Sequence, residues 1–231
     1  MQHLGIFGGT FNPPHRGHLH IAEAALHQAQ LDQVLWIPAM VPPHPKGSDL
    51  LAIAHRLELV KRAIAPYDRF ALCCVEPKTP GDRSYAIDLL NQVQALNINS
   101  NIDSNIGSNI SNHHDTGNIH NQWFWIVGQD AFATLPRWYR RQELIPRCTW
   151  LVAPRQPISP TSDDPAATVQ ILQSQGIDIR WQWLNLSPLD ISSSQIRQRV
   201  GDRLPINALV PDAVREYIEE KQLYRRTCAD G

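Results

Sequence analysis

The stretch Gly8-Gly9-Thr10-Phe11-Asn12-Pro13-Pro14-His15-Arg16-Gly17-His18, directly behind the apolar run Leu4-Gly5-Ile6-Phe7, constrains the fold more than any other part of the chain. An apolar run that meets a glycine pair reads as a strand entering a turn. Gly8 and Gly9 carry no Cβ, so they are expected to take positive φ and to let a phosphate approach the backbone. Pro13 and Pro14 are expected to hold the following loop extended and offer no competing N–H. A helix beginning near Gly17 aims its free N–H groups and the positive end of its dipole above the strand. His15 and His18, at i and i+3, then share one face of the helix start. Each part suits the binding of a polyphosphate.

The rest of the chain repeats the same alternation. Short apolar runs predict strands over 3–7, 33–38, 70–75, 123–128, 149–153 and 180–184, and helical patterns cover 17–30, 53–65, 85–96, 141–145, 166–175, 193–200 and 212–221. Strands alternating with such helices predict βαβ crossovers and a parallel sheet covered on both faces. The fold class is therefore α/β, a Rossmann-like doubly wound parallel sheet. Its ligand crevice is expected outside the carboxyl ends of the strands. The chain of 231 residues suits one domain over 1–231. Residues 97–121 break the order with Asn, Ser and a near-repeat of Ser-Asn-Ile, a composition that predicts a disordered surface insertion. Its His113, His114 and His120 read as solvated side chains rather than metal ligands.

A formal charge of −1 argues against a general nucleic-acid binder. Local basic groups could still hold anionic substrates. No apolar run reaches the ~20 residues that span a bilayer, and the start of the chain runs straight into a strand, so no membrane partner and no secretory segment are expected. Cys73, Cys74, Cys148 and Cys228 show no zinc spacing. Cys73 and Cys74 lie in an apolar run and are expected to be buried thiols, which fits a reduced, cytoplasmic protein. A homo-oligomer is compatible with all of this.

Further motifs follow. In Ile191-Ser192-Ser193-Ser194-Gln195-Ile196-Arg197, the Ser192 and Gln195 spacing is that of a capping box, so a helix should begin there. Free N–H groups, hydroxyls and the planar fork of Arg197 make a second anion site. Val127-Gly128-Gln129-Asp130 ends the fourth strand with a glycine that admits a ligand and a carboxylate that accepts from ribose hydroxyls or caps the next helix. Pro136-Arg137-Trp138-Tyr139 offers an indole for stacking or for packing. Ile37-Pro38-Ala39-Met40-Val41-Pro42-Pro43-His44 follows the second strand, and Ser84-Tyr85-Ala86 opens the third helix.

Together these strings resemble the HxGH nucleotidyltransferase superfamily, in the form found in bacterial nicotinate-nucleotide adenylyltransferases. The resemblance runs from Gly8 to Tyr224. Ser194 stands where the family has Thr, Ala86 stands where it has Thr, Lys46 lies one position late after His44, and Arg155-Gln156-Pro157 has one basic residue fewer. The resemblance implies a nucleotidyltransferase-type sheet and transfer of the adenylyl group of ATP to nicotinate mononucleotide, giving deamido-NAD and pyrophosphate. It implies that His15, His18 and Arg197 are catalytic. Gly8, Gly9, Thr10, Gly17, Gly128, Asp130 and Ser193 would bind ATP. Asn12, His44, Tyr85, Ala86, Trp138 and Tyr139 would bind nicotinate mononucleotide. Mg²⁺ is expected to enter on the ATP phosphates, because no carboxylate cage is visible. Nicotinamide mononucleotide is the nearest rival acceptor. A nucleotide-binding regulatory module without turnover is the reading from a different class.

Overall fold

A computed structural model of the chain describes residues 1–41, 50–75, 85–96, 121–154, 164–187 and 189–225. Among these, six parallel strands form one sheet: β1 (His3–Gly9), β2 (Gln33–Pro38), β3 (Phe70–Leu72), β4 (Gln122–Gly128), β5 (Thr149–Ala153) and β6 (Arg180–Trp183). Their order is β3-β2-β1-β4-β5-β6, so the direction of winding reverses between β1 and β4. This strand order is that of the Rossmann fold, and the reversal opens the ligand crevice at the carboxyl ends of β1 and β4.

The strands read as near-continuous apolar runs because both faces are buried. In β4 the five residues Trp123 to Val127 are all buried. Alternation sends Phe7 to one face of the sheet and Leu4 and Ile6 to the other. The first face is covered by α1 (Arg16–Gln28), α2 (Ile53–Ile64), α7 (Ser193–Gly201) and α8 (Asp212–Glu220). The second is covered by α3 (Ala86–Ala95), α4 (Gln129–Ala133), α5 (Arg141–Leu144) and α6 (Pro165–Ser174). Leu19, Ala22, Ala25 and Leu26 give α1 its apolar stripe, and Ile87, Leu90 and Val93 give α3 its own.

Several expectations need correction. Gly8 and Gly9 do not turn the chain; they are the last residues of β1, and the positive φ falls on Phe11, at 47°. Gly9 is needed for packing, since a Cβ there would lie 2.8 Å from Phe11 Cζ. The Asn12–Pro13 peptide is cis, so the loop is not simply extended. β3 ends at Leu72 rather than at residue 75, although the Cys73 N–H still donates to Trp36 O at 2.9 Å. Cys73 is buried but Cys74 is exposed. Burial pushes the Cys73 thiol up to about 11, which keeps it protonated and unreactive. Asp130 does not cap the helix after β4; Gly128 occupies the cap position and Asp130 lies in the first turn. The expected insertion at 97–121 lies, but for its last residue, outside the described residues.

Candidate active site

The loop between β1 and α1 is fixed from two sides. From one side the Ser193 hydroxyl donates to Pro13 O at 2.8 Å, Arg197 Nη1 donates to Asn12 O at 2.9 Å, and the Arg16 N–H donates to Leu209 O at 2.9 Å. From the other, Asn12 Oδ1 accepts from the Leu51 N–H at 3.3 Å and from the Tyr224 hydroxyl at 2.9 Å. The expected helix start at Ser192 is present, with its hydroxyl accepting from the Gln195 N–H at 3.1 Å. The two regions that carry the motifs, 180 residues apart, therefore meet directly.

His15 is the cap of α1 and His18 its third residue. Their rings stack with centroids 3.7 Å apart. The His15 N–H donates to His18 Nδ1 at 3.2 Å. That bond fixes the tautomer: neutral His18 carries its proton on Nε2 and can donate from there. Gly17 makes the pairing sterically possible, because a Cβ there would sit 3.0 Å from His15 Nδ1. Phe7 and Phe11 back the His18 ring.

Burial pushes the His15 imidazole down to about 4. Burial, with the neighbouring His15, holds His18 well below its ordinary value. Both rings are neutral at pH 7 and act as hydrogen-bond donors rather than as cations. An unfolded chain binds protons at these imidazoles below about pH 6.5 while the native state does not, so stability falls as pH drops from 6.5 towards 4. His15 alone accounts for about 2 kcal/mol of that loss at pH 5. The expected result is a stability that falls less steeply between pH 7 and 5 in His15→Asn than in the parent chain, read by urea unfolding at each pH. Equal slopes would show that His15 titrates normally.

A cavity of about 740 Å³ opens at the reversal point and is lined by Thr10, Asn12, His15, Gly17, His18, Gly128, Asp130, Ser193 and Arg197, among others. Eight of the ten residues expected at the catalytic centre and ATP site, with Gly17 and Asp130 among them, line this one space. Gly8 and Gly9, the last residues of β1, are not part of its lining. The cavity is also lined by His20, Ile21, Leu186, Leu189, Asp190 and Ile191, which sequence reasoning did not select. Their signal was weak, because α1 points its i+2 and i+3 positions past the phosphate loop and the segment before Ser192 has no periodicity. Arg197 Nε is buried with no hydrogen-bond partner among the described residues, so its guanidinium keeps donor capacity beyond the bond to Asn12.

The residues expected around the second substrate form a separate group. The Tyr85 and Tyr139 rings lie 4.6 Å apart, and Tyr85 is the cap residue of α3, directly before Ala86. Tyr139 is exposed. Trp138 is half-buried: its ring meets Trp125 and Trp150 edge to face, and its indole N–H donates to Thr134 Oγ1 at 2.9 Å. Packing thus accounts for one side of this indole. Asn12 stands apart from this group, in the main cavity. His44, Lys46, Ser84 and 155–157 lie outside the described residues.

Arg56 is a residue that sequence reasoning missed. It is 1 % exposed and donates to Leu51 O at 3.2 Å, Thr10 O at 2.9 Å and Met40 O at 3.2 Å. The signal was present: Arg56 precedes Leu59, Val60 and Ala63 at i+3, i+4 and i+7, which puts a charge on the buried face of α2.

Comparison with known proteins agrees with this geometry. The cytidylyltransferase-like family matches residues 6–199. A protein of Trichormus variabilis named a probable nicotinate-nucleotide adenylyltransferase is 41% identical, with 97% of this chain and 98% of that protein covered. The nicotinate-nucleotide adenylyltransferase of Bacillus subtilis is 30% identical, with 97% and 99% covered. Among solved structures, the nicotinic acid mononucleotide adenylyltransferase of Plasmodium falciparum complexed with NaAD shares the fold at a TM-score of 0.69 and 14% identity, over 97% of this chain and 98% of that one. The chain belongs to the cytidylyltransferase-like family and, within it, to the nicotinate-nucleotide adenylyltransferases.

Proposed function

We infer that the chain transfers the adenylyl group of ATP to nicotinate mononucleotide, forming deamido-NAD and pyrophosphate. The observation that carries this reading is the single cavity that joins the stacked His15–His18 pair to Ser193 and Arg197 at the reversal of the sheet. The named relatives, at 30% identity or more over almost their whole length, supply the acceptor.

The chemistry follows from charge. The second pKa of a phosphate monoester is ~6, so the acceptor is largely dianionic at neutral pH and needs no general base. An acceptor oxygen forms a bond to the α-phosphorus of ATP, in line with the bond that breaks to the β-bridging oxygen. Pyrophosphate leaves with that electron pair. The task of the protein is to bring two polyanions together and to stabilise charge that grows on the leaving oxygen. His15 and His18 donate to the α- and β-phosphate oxygens, His18 through Nε2. The N-terminus of α1 adds backbone dipoles. Ser193, through its backbone N–H in the first turn of α7, and Arg197 hold the departing pyrophosphate, Gly128 admits the adenosine, and Asp130 accepts from the ribose.

Mg²⁺, brought on the ATP phosphates, would screen their charge. Asp130 and Asp190 are the carboxylates that line the cavity among the described residues, a donor set that suits a hydrated ion bound mainly by phosphates. On the acceptor side, Tyr85, Ala86, Trp138 and Tyr139 frame the pyridine ring, with backbone N–H groups at the start of α3 facing its carboxylate. A soluble, cytoplasmic setting and freedom from nucleic-acid partners complete the proposal. No helix among the described residues is long and apolar enough to cross a membrane.

The test is pyrophosphate release with ATP, Mg²⁺ and each acceptor in parallel. Nicotinate mononucleotide should be turned over at least tenfold more efficiently, as kcat/KM, than nicotinamide mononucleotide. Equal or better use of the amide would overturn the acceptor assignment. ATP binding without release of pyrophosphate would favour a regulatory module.

A further inference from the structure

Arg56 lies on α2, and among the described residues its hydrogen bonds go to backbone carbonyls of three different segments. Thr10 belongs to the loop that carries His15 and His18 and lines the cavity. Met40 follows β2. Leu51 is next to Leu50, which also lines the cavity. The guanidinium has no carboxylate partner among the described residues. Burial lowers its pKa, and the nearby group that acts on it is the Tyr224 hydroxyl. A buried charge without a counter-ion is costly unless its donors are satisfied. A structural core would be served better by an apolar side chain at this position, like Leu59, Val60 and Ala63 around it. The retained charge therefore points to a task at the cavity.

We propose that Arg56 is a positioning residue that sets the phosphate loop against the β2 and α2 segments, and so holds the His15–His18 pair at its reacting distance. This rests on the activity inferred above. The planar fork reaches three carbonyls that point at it from separate directions, whereas a lysine ammonium of similar charge spans fewer of them. The Leu51 link is doubled, because its N–H bonds Asn12 Oδ1 while its carbonyl accepts from Arg56. A slack loop displaces donors that act only in the transition state. The loss should then appear mainly in kcat and less in KM for ATP.

The experiment compares Arg56→Lys and Arg56→Met with Leu59→Ala, a buried residue of the same helix facing the sheet. Each is assayed at a temperature well below its own Tm. The expected result is a kcat about tenfold lower in Arg56→Met, with KM for ATP changed less than threefold, partial recovery in Arg56→Lys, and a kcat near the parent value in Leu59→Ala despite its lower Tm. If Arg56→Met folds and keeps kcat within twofold, or if Leu59→Ala loses as much kcat, the residue is a structural one only. If Arg56→Met does not fold, Arg56→Lys decides on the same readings. A parent chain that releases no pyrophosphate would instead sink the activity on which the proposal rests.

Discussion

His18→Asn lowers kcat about 10²-fold and leaves Tm near that of the parent, whereas His18→Gln lowers Tm and keeps more of the rate. The two replacements divide what the imidazole does. Its Nδ1 accepts the His15 N–H inside the start of α1. Its Nε2–H is the donor left for phosphate. An asparagine oxygen falls near the position of Nδ1 and preserves the acceptor, but nothing remains at Nε2. A glutamine amide reaches the Nε2 position and loses the inner bond. Removing one donor that acts on developing charge typically costs ~3 kcal/mol, about 10²-fold in rate. The loss of one hydrogen bond at a helix start costs about 1 kcal/mol. Steady-state kinetics and thermal unfolding on both variants check this. If His18→Asn keeps its kcat, His18 is a helix cap and not part of the chemistry.

Arg197→Lys lowers kcat by 10- to 10²-fold although the charge is kept. In the structure one guanidinium nitrogen, Nη1, is committed to Asn12 O, and Nε is buried with no partner among the described residues. The side chain thus has to hold the loop and a leaving group at once. A planar fork can do both, since it carries five donors in fixed directions. An ammonium held at Asn12 O presents the rest of its donors to a smaller region. A lost charge-assisted hydrogen bond costs about 1.5–3 kcal/mol. KM for ATP should rise severalfold as well, because the same contact exists in the ground state. A lysine variant as active as the parent would mean that Arg197 supplies only a diffuse field.

What was legible in the sequence was whatever is decided locally or repeated along an element. The six strands, the apolar stripe of α1 and the Ser192–Gln195 cap all follow from near neighbours, and all are present. α4 was missed because Gln129–Ala133 is too short to show a period; the buried Phe132 ring holds it to the sheet. The role of Gly9 was misread because its partner, the Phe11 ring, returns over it through a residue with positive φ, which no local pattern announces. Cys74 was expected inside because the apolar run continues past the end of β3. The motif residues of the cavity were readable as types in order. Their convergence was not, since Ser193 meets Pro13 and Tyr224 meets Asn12 only through the tertiary fold. The stacking of His15 on His18, and with it their neutrality, also needed the structure.

The central claim is that an oxygen of the acceptor phosphate attacks the α-phosphorus of ATP within the cavity between β1 and β4. Nicotinate mononucleotide labelled with ¹⁸O in its phosphate, incubated with ATP, Mg²⁺ and the chain, tests this by mass spectrometry of both products. The account predicts that all label stays in the deamido-NAD and that the pyrophosphate carries none. Label in pyrophosphate, or a pyrophosphorylated acceptor in place of the dinucleotide, would contradict it.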